Sequence, residues 1–206
     1  MAYLERKEQT KRMKEKIIES AIYEFNEHGY EEASLNHVCK IGNISKGIIY
    51  HYFKDKDELY LSCVKVCYDT LLQYYTDYVN TLKNDMDIKG LMEVRMQFFK
   101  EHPKLRGLFF HSILHTPNHL LEKVNEVKKD LNAFNAKVYW EYLKHLELRV
   151  SKEDALMYLD VCQSAYNEYF RKHSSNCDDL ENIIEQHESM IPQWIDFMLY
   201  GIAKER

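Results

Sequence analysis

Apolar residues recur at helical spacing along most of the chain. Between Thr10 and His28, residues Ile17, Ile18, Ala21, Ile22 and Phe25 fall at i, i+1, i+4, i+5 and i+8, one stripe of an amphipathic helix. Gly29 follows, in the place where helices commonly end in a left-handed residue. Ser34 predicts an N-cap for a short helix over Leu35–Ile41, and Gly42-Asn43 predicts its end, since both residues tolerate positive φ. Ser45 then caps a third helix from Lys46 to about Tyr52.

Longer helices are expected beyond Lys54-Asp55-Lys56-Asp57. The first runs from Asp57 to Leu82, with a stripe of Leu59, Cys63, Val66, Cys67, Thr70, Leu71, Tyr74 and Tyr78, and "KNDMD" at 83–87 ends it. Helices over Ile88–Lys100 and Lys104–Leu114 stop before Pro103 and Pro117. One long amphipathic segment covers Asn118–Leu148. Ser151 with Asp154 resembles a capping box, opening a helix to His173. After the "SSNCDD" loop, a last helix spans Asp179–Lys204, with a kink expected at Pro192. The expectation is an all-α chain of about nine helices, three short and six longer, without strands, repeats or low-complexity tracts.

Composition agrees. Only 6 Gly and 3 Pro occur in 206 residues, too few for a protein of many short strands. Net charge is −5, which excludes a polycation, but residues 1–56 carry ten Lys/Arg against nine Asp/Glu. A nucleic-acid contact therefore belongs to the N-terminal end. The five cysteines, Cys39, Cys63, Cys67, Cys162 and Cys177, form no CxxC and read as reduced thiols. With no leader pattern and no run of 18 apolar residues, a soluble, cytoplasmic protein without membrane contact is expected.

Two short helices joined by a tight turn form a helix-turn-helix unit, whose second helix enters the major groove. Here the turn is Gly42-Asn43-Ile44. The helix starting at Ser45 offers backbone N–H groups at a positive dipole end, suited to a phosphate oxygen. Lys46 can reach a phosphate or a guanine edge, Gly47 lets the backbone approach, and Ile48 can meet a thymine methyl. Tyr50, His51 and Lys54 can donate to flanking phosphates, and Lys56 can reach another. Ile44, Ile49 and Phe53 face inward.

The stretch "IIESAIYEFNEHGYEEASLNHVCKIGNISKGIIYHYFKDKDELY" resembles the DNA-binding domain of the TetR family of bacterial transcriptional regulators. The resemblance rests on Ala21, Phe25 and Gly29-Tyr30, on Ser34, on Ser45-Lys46-Gly47, on Tyr50 to Phe53, and on Lys56, Glu58 and Leu59. Cys39, Asn43 and Ile48 depart from the common pattern, where alanine, glycine and threonine are usual. The resemblance implies a DNA-binding domain over 1–56, with Ser34 among its contacts, and an effector and dimerisation domain over 57–206. It also implies a homodimer on near-palindromic double-stranded operator DNA, and a repressor released by a small-molecule effector not identified by sequence. The last two helices are expected to pair with their copies through Tyr158, Cys162, Ile184, Ile191, Trp194, Ile195 and Met198, since the apolar stripe of the last helix is broader than one packed face needs.

An aromatic-lined effector pocket is expected from the 16 tyrosines and their neighbours, with Cys67, Leu71, Phe98, Phe110, His111, Tyr139 and Tyr166 as candidates. His111 and His115 at i, i+4 have metal-ligand spacing, but Pro117 interrupts the helix before His119, so no metal or other cofactor is expected. Cys63 and Cys67 read as small buried hydrophobes. Two other readings stay open: a helical small-molecule-binding protein that never touches DNA, and an enzyme. No GxSxG, glycine-rich phosphate loop or HExxH supports the latter.

Overall fold

A computed structural model describes residues 2–82, 88–173 and 180–201. Every regular element among them is helical: α1 (Ala2–Glu32), α2 (Leu35–Gly42), α3 (Lys46–Tyr52), α4 (Lys56–Thr81), α5 (Ile88–Glu101), α6 (Pro103–Leu114), a 3-10 turn (Asn118–Leu120), α7 (Leu121–Val127), α8 (Lys129–Leu143), α9 (Lys152–His173) and α10 (Leu180–Gly201). The expected breaks at "KNDMD" and "SSNCDD", with Cys177, and the helix ends at Asp179 and Lys204, lie outside the described residues.

Most predicted starts and stops are where local chemistry put them. Gly29 sits at φ 63, ψ −169 and kinks α1, a conformation almost closed to side chains with a Cβ. Asp154 N–H donates to Ser151 Oγ at 3.1 Å, and Ser151 Oγ donates to Asp154 Oδ2 at 2.8 Å. Pro103 opens α6 at its first position, where no N–H is needed. Pro192 lies inside α10.

The single segment expected over Asn118–Leu148 is divided. Lys128, at φ −76 and ψ −11, separates α7 from α8, and helix ends at Leu143. No Gly or Pro marks this break in sequence. Lys128 Nζ stands 5.4 Å from the ring centre of Tyr68, a packing partner sixty residues away that no local pattern reveals.

The chain forms two compact units. The first comprises 1–70 and 98–128, the second 71–97 and 129–206, so α4 and α5 contribute to both. In the first, Ile17, Ala21 and Phe25 of α1 are buried along with Val38, Ile49, Phe53, Leu59 and Tyr60. Tyr60 meets Phe25 and Tyr30 edge-on at 5.0 and 5.1 Å. Tyr68 Oη lies 2.6 Å from Ser112 Oγ, so this buried hydroxyl has a partner. The second unit is built on Leu143, Ala155, Leu159, Ile191, Ile195, Met198 and Leu199, with Tyr139, Trp140 and Trp194 against them. A buried ion pair, Arg95 to Glu188 at 2.8 Å, joins α5 to α10 there.

Candidate nucleic-acid interface

The interface is assembled from two caps and a turn. Ser34 is extended, and its Oγ accepts the N–H of Asn36 at 3.3 Å, starting α2. Asn43 ends α2 in the left-handed region at φ 46, ψ 55. Its N–H reaches Lys40 O at 3.2 Å, and Ile44 N–H reaches Cys39 O at 2.9 Å. That is the double hydrogen bond of a Schellman motif, with asparagine at the position glycine usually fills. Gly42 keeps helical geometry. Its missing Cβ is needed for space, because one would fall 2.5 Å from Ile44 Cδ1.

Ser45 caps α3, its Oγ accepting the N–H of Ile48 at 3.4 Å. From below, Ile44, Ile49 and Phe53 are buried, as expected. On the outer face Lys46, Gly47, Ile48, Tyr50 and His51 are exposed, Tyr50 by 49% and Ile48 by 37%. A Cβ on Gly47 would meet nothing within 4 Å, so that backbone is open to a large partner. Lys54 is exposed beyond α3, while its N–H donates to Glu58 Oε2 at 2.7 Å and fixes the joint to α4.

Lys56 differs from expectation. Its Nζ donates to Glu31 O at 3.3 Å and stands 4.5 Å from the ring centre of Tyr30, so the side chain is folded back onto the scaffold. Burial pulls its pKa down, opposed by Glu31, Glu24 and Asp57. Tyr30 in turn donates to Asp57, and that hydrogen bond, with smaller help from His119, holds the Asp57 carboxyl below its usual range.

The candidate effector residues fall into different units. Cys67, Phe98, Phe110 and His111 are buried in the first, where Cys67 Sγ donates to Leu105 O at 3.3 Å. Leu71, Tyr139 and Tyr166 belong to the second, with Leu71 buried and the two tyrosines half-buried. Tyr166 packs between α9 and α10, its ring centre 4.8 Å from His187 and 4.9 Å from Trp194.

His111, His115 and His119 do not converge. His111 Nε2 meets Asn26 O at 3.1 Å and its Nδ1 meets His115 Nδ1 at 3.3 Å, whereas His119 Nε2 turns to Asp57 Oδ2 at 3.4 Å.

The residues expected to pair two copies divide as well. Ile184, Ile191, Ile195 and Met198 are buried within the chain's own second unit, the last three in a cluster with Leu143 of α8 and Ala155 and Leu159 of α9. Cys162 and Trp194 are half-buried, and Tyr158 is exposed. The apolar side chains left outside on α9 and α10 are Met157, Tyr158, Val161, Tyr169, Met190 and Phe197. Sequence periodicity found the helices but could not say which apolar stripe the chain would cover itself.

Among the described residues no helix is long and apolar enough to cross a membrane.

The family profile described as bacterial regulatory proteins, tetR family, matches residues 17–63, the caps, turn and helices just described. The negative transcriptional regulator IcaR of the biofilm operon icaADBC of Staphylococcus aureus (strain Newman) is 28% identical over 142 residues, 69% of this chain and 75% of IcaR. The IcaR of Staphylococcus epidermidis is 28% identical over 148 residues, with the same coverage. Two solved structures share the fold. The fatty acid degradation regulator FadR of Bacillus halodurans superposes with a TM-score of 0.64 over 94% of this chain and 97% of its own, at 16% identity. FadR of Bacillus subtilis, in complex with stearoyl-CoA, gives 0.64 over 91% and 98%, at 15% identity. Residues 17–63 thus match the tetR family of bacterial regulatory proteins, while the chain as a whole is similar to IcaR over 69% of its length and shares the fold of the two FadR structures.

Proposed function

We propose that the protein is a homodimeric repressor whose two α3 helices read adjacent major-groove half-sites of a near-palindromic operator. The observation that carries this reading is the exposed row Lys46, Gly47, Ile48, Tyr50 and His51 on a helix held from beneath by Ile44, Ile49 and Phe53, with exposed Lys54 just beyond its end. Lysine, tyrosine and histidine donors at the margins fix register on phosphates, while Lys46 and Ile48 are placed for base edges. The repressor sign is supported by the IcaR relatives, which are negative regulators.

Half-sites one turn apart require a two-fold pair. The exposed apolar set Met157, Tyr158, Val161, Tyr169, Met190 and Phe197 on α9 and α10 supports pairing through those helices. The division of labour follows, with DNA contact in 1–56 and pairing and effector binding in 57–206. An effector held in the C-terminal part releases the operator by favouring a head spacing that does not fit successive grooves, to the extent of its differential affinity. The complex of FadR from Bacillus subtilis with stearoyl-CoA supports a small molecule as the effector class, without naming this one.

A mobility-shift titration on the DNA upstream of the protein's own gene tests the reading. The parent binds a defined fragment, and Lys46→Ala and Tyr50→Ala each weaken binding tenfold or more while circular dichroism is unchanged. Equal binding by all three proteins would favour the rival, a helical ligand-binding protein that does not recognise DNA.

A further inference from the structure

Three side chains that the operator-reading row does not use converge where α1 meets α2. Glu24 and His28 stand one turn apart on α1, and His37 comes from the first turn of α2. One ligand-capable atom from each lies within 4.8 Å of the other two. The Glu24 side chain is 1% exposed, its Oε1 accepting the backbone N–H of Ser34 at 2.7 Å. Its Oε2 is buried without a hydrogen-bond partner. Nδ1 of His37 approaches that oxygen to 2.5 Å, an ion-pair distance, and Nε2 of His28 lies 3.9 Å from it.

A buried carboxylate oxygen lacking a donor is costly, and a cation is one way to satisfy it. Two neutral imidazoles and one carboxylate form a donor set suited to zinc, with a fourth position left to water. Imidazole also favours cobalt and nickel over calcium or magnesium. We propose that Glu24, His28 and His37 bind a divalent transition-metal cation, with Zn²⁺ the expected occupant, and that the ion clasps α1 to α2.

Bonds of about 2.0–2.2 Å keep ligand atoms within roughly 4.4 Å of one another, so the imidazoles must draw in slightly. The side chains of His28 and His37, 42% and 46% exposed, have room to do so. Glu24 is already oriented by the Ser34 N–H, the kind of outer hydrogen bond that fixes a metal-binding carboxylate. Because Ser34 is also the cap of α2, the ion would stiffen the support on which α3 rests.

The test uses full-length protein stripped with a chelator and titrated with Co²⁺, followed by its visible absorption, then with Zn²⁺ in competition. One Co²⁺ per chain is expected, displaced by Zn²⁺, with a zinc-dependent rise in Tm. His28→Ala and His37→Ala, both at exposed positions, each weaken binding at least tenfold and abolish the Tm rise, whereas His115→Ala leaves both unchanged. Glu24→Gln, which keeps an acceptor for Ser34, also weakens binding. Unaltered Co²⁺ spectra in His37→Ala, or no spectrum at millimolar Co²⁺, would reduce the cluster to a Glu24–His37 ion pair and overturn the proposal. Metal binding is read without DNA, so its failure leaves the operator-binding reading untouched.

Discussion

His111 donates from Nε2 to the carbonyl of Asn26 at 3.1 Å, tying α6 to α1 just before the kink at Gly29. With that nitrogen protonated, Nδ1 is free to accept from Nδ1–H of His115, and the ring is held neutral. Burial, and then the neighbouring His115, push its pKa down to about 4. Below about pH 6.5 the unfolded chain takes up this proton while the folded chain does not until about pH 4, so stability is complete above the unfolded value and declines between the two. Urea melts should show a loss of roughly 2 kcal/mol between pH 7 and pH 5 from this group alone. His111→Gln, which keeps a donor, should flatten that dependence.

Two glycines in the same unit should respond in opposite ways. Gly29 combines φ 63 with His111 Nδ1 only 3.0 Å from where a Cβ would sit, so Gly29→Ala should cost about 2–3 kcal/mol in chemical denaturation. Gly47 is helical with open space above it, so Gly47→Ala should leave Tm equal or raised, by about 0.5–1 kcal/mol of helix propensity. Its operator affinity should nevertheless fall, because the added methyl stands on the face proposed to approach DNA. Unchanged affinity in Gly47→Ala would count against α3 lying close in the groove.

Salt offers a separate check on the charged donors. If Lys46 and Lys54 contact phosphates, log affinity should fall linearly with log salt, and each Lys→Ala change should shallow the slope by about 0.9. Lys56→Ala should barely change the slope, since its Nζ is held by Glu31 O and the Tyr30 ring, but should lower stability.

Thiol reactivity should sort by burial. Cys63 and Cys67 are buried, and burial pushes both thiols far above the ordinary cysteine range, leaving almost no thiolate. In a Cys177→Ser background, an aromatic disulfide reagent should label half-buried Cys39 and Cys162 in the native protein and reach the other two only in denaturant.

In the second unit, Arg95→Met should destabilise by about 3–5 kcal/mol, because it leaves Glu188 charged with its side chain only 10% exposed. Combining it with Glu188→Leu should recover much of that loss. Additive losses in thermal melts would show that the two side chains do not act as a pair.

Much of the first unit was legible because its instructions are short-range. Ser34 and Ser45 cap with their own hydroxyls, Asn43 reverses the chain through its own dihedral angles, and Ile44, Ile49 and Phe53 lie inward by helical period alone. The Glu24, His28 and His37 cluster went unread for the opposite reason. Its first two members show an ordinary i, i+4 spacing, and the third is brought in only by the docking of α2 on α1. The sequence drew attention instead to His111, His115 and His119, whose regular spacing the packing then separated.

Residue identity by itself therefore determined where the capped helices α2, α3 and α9 begin and which side of α3 remains outside, since caps, breakers and periodicity act within a few residues. Packing alone decided that Lys56 folds back onto Tyr30, that helix breaks at Lys128, and that Ile184, Ile191, Ile195 and Met198 are covered by the chain itself. Those outcomes depend on partners dozens of residues away, and a stripe of apolar residues does not encode which neighbour will bury it.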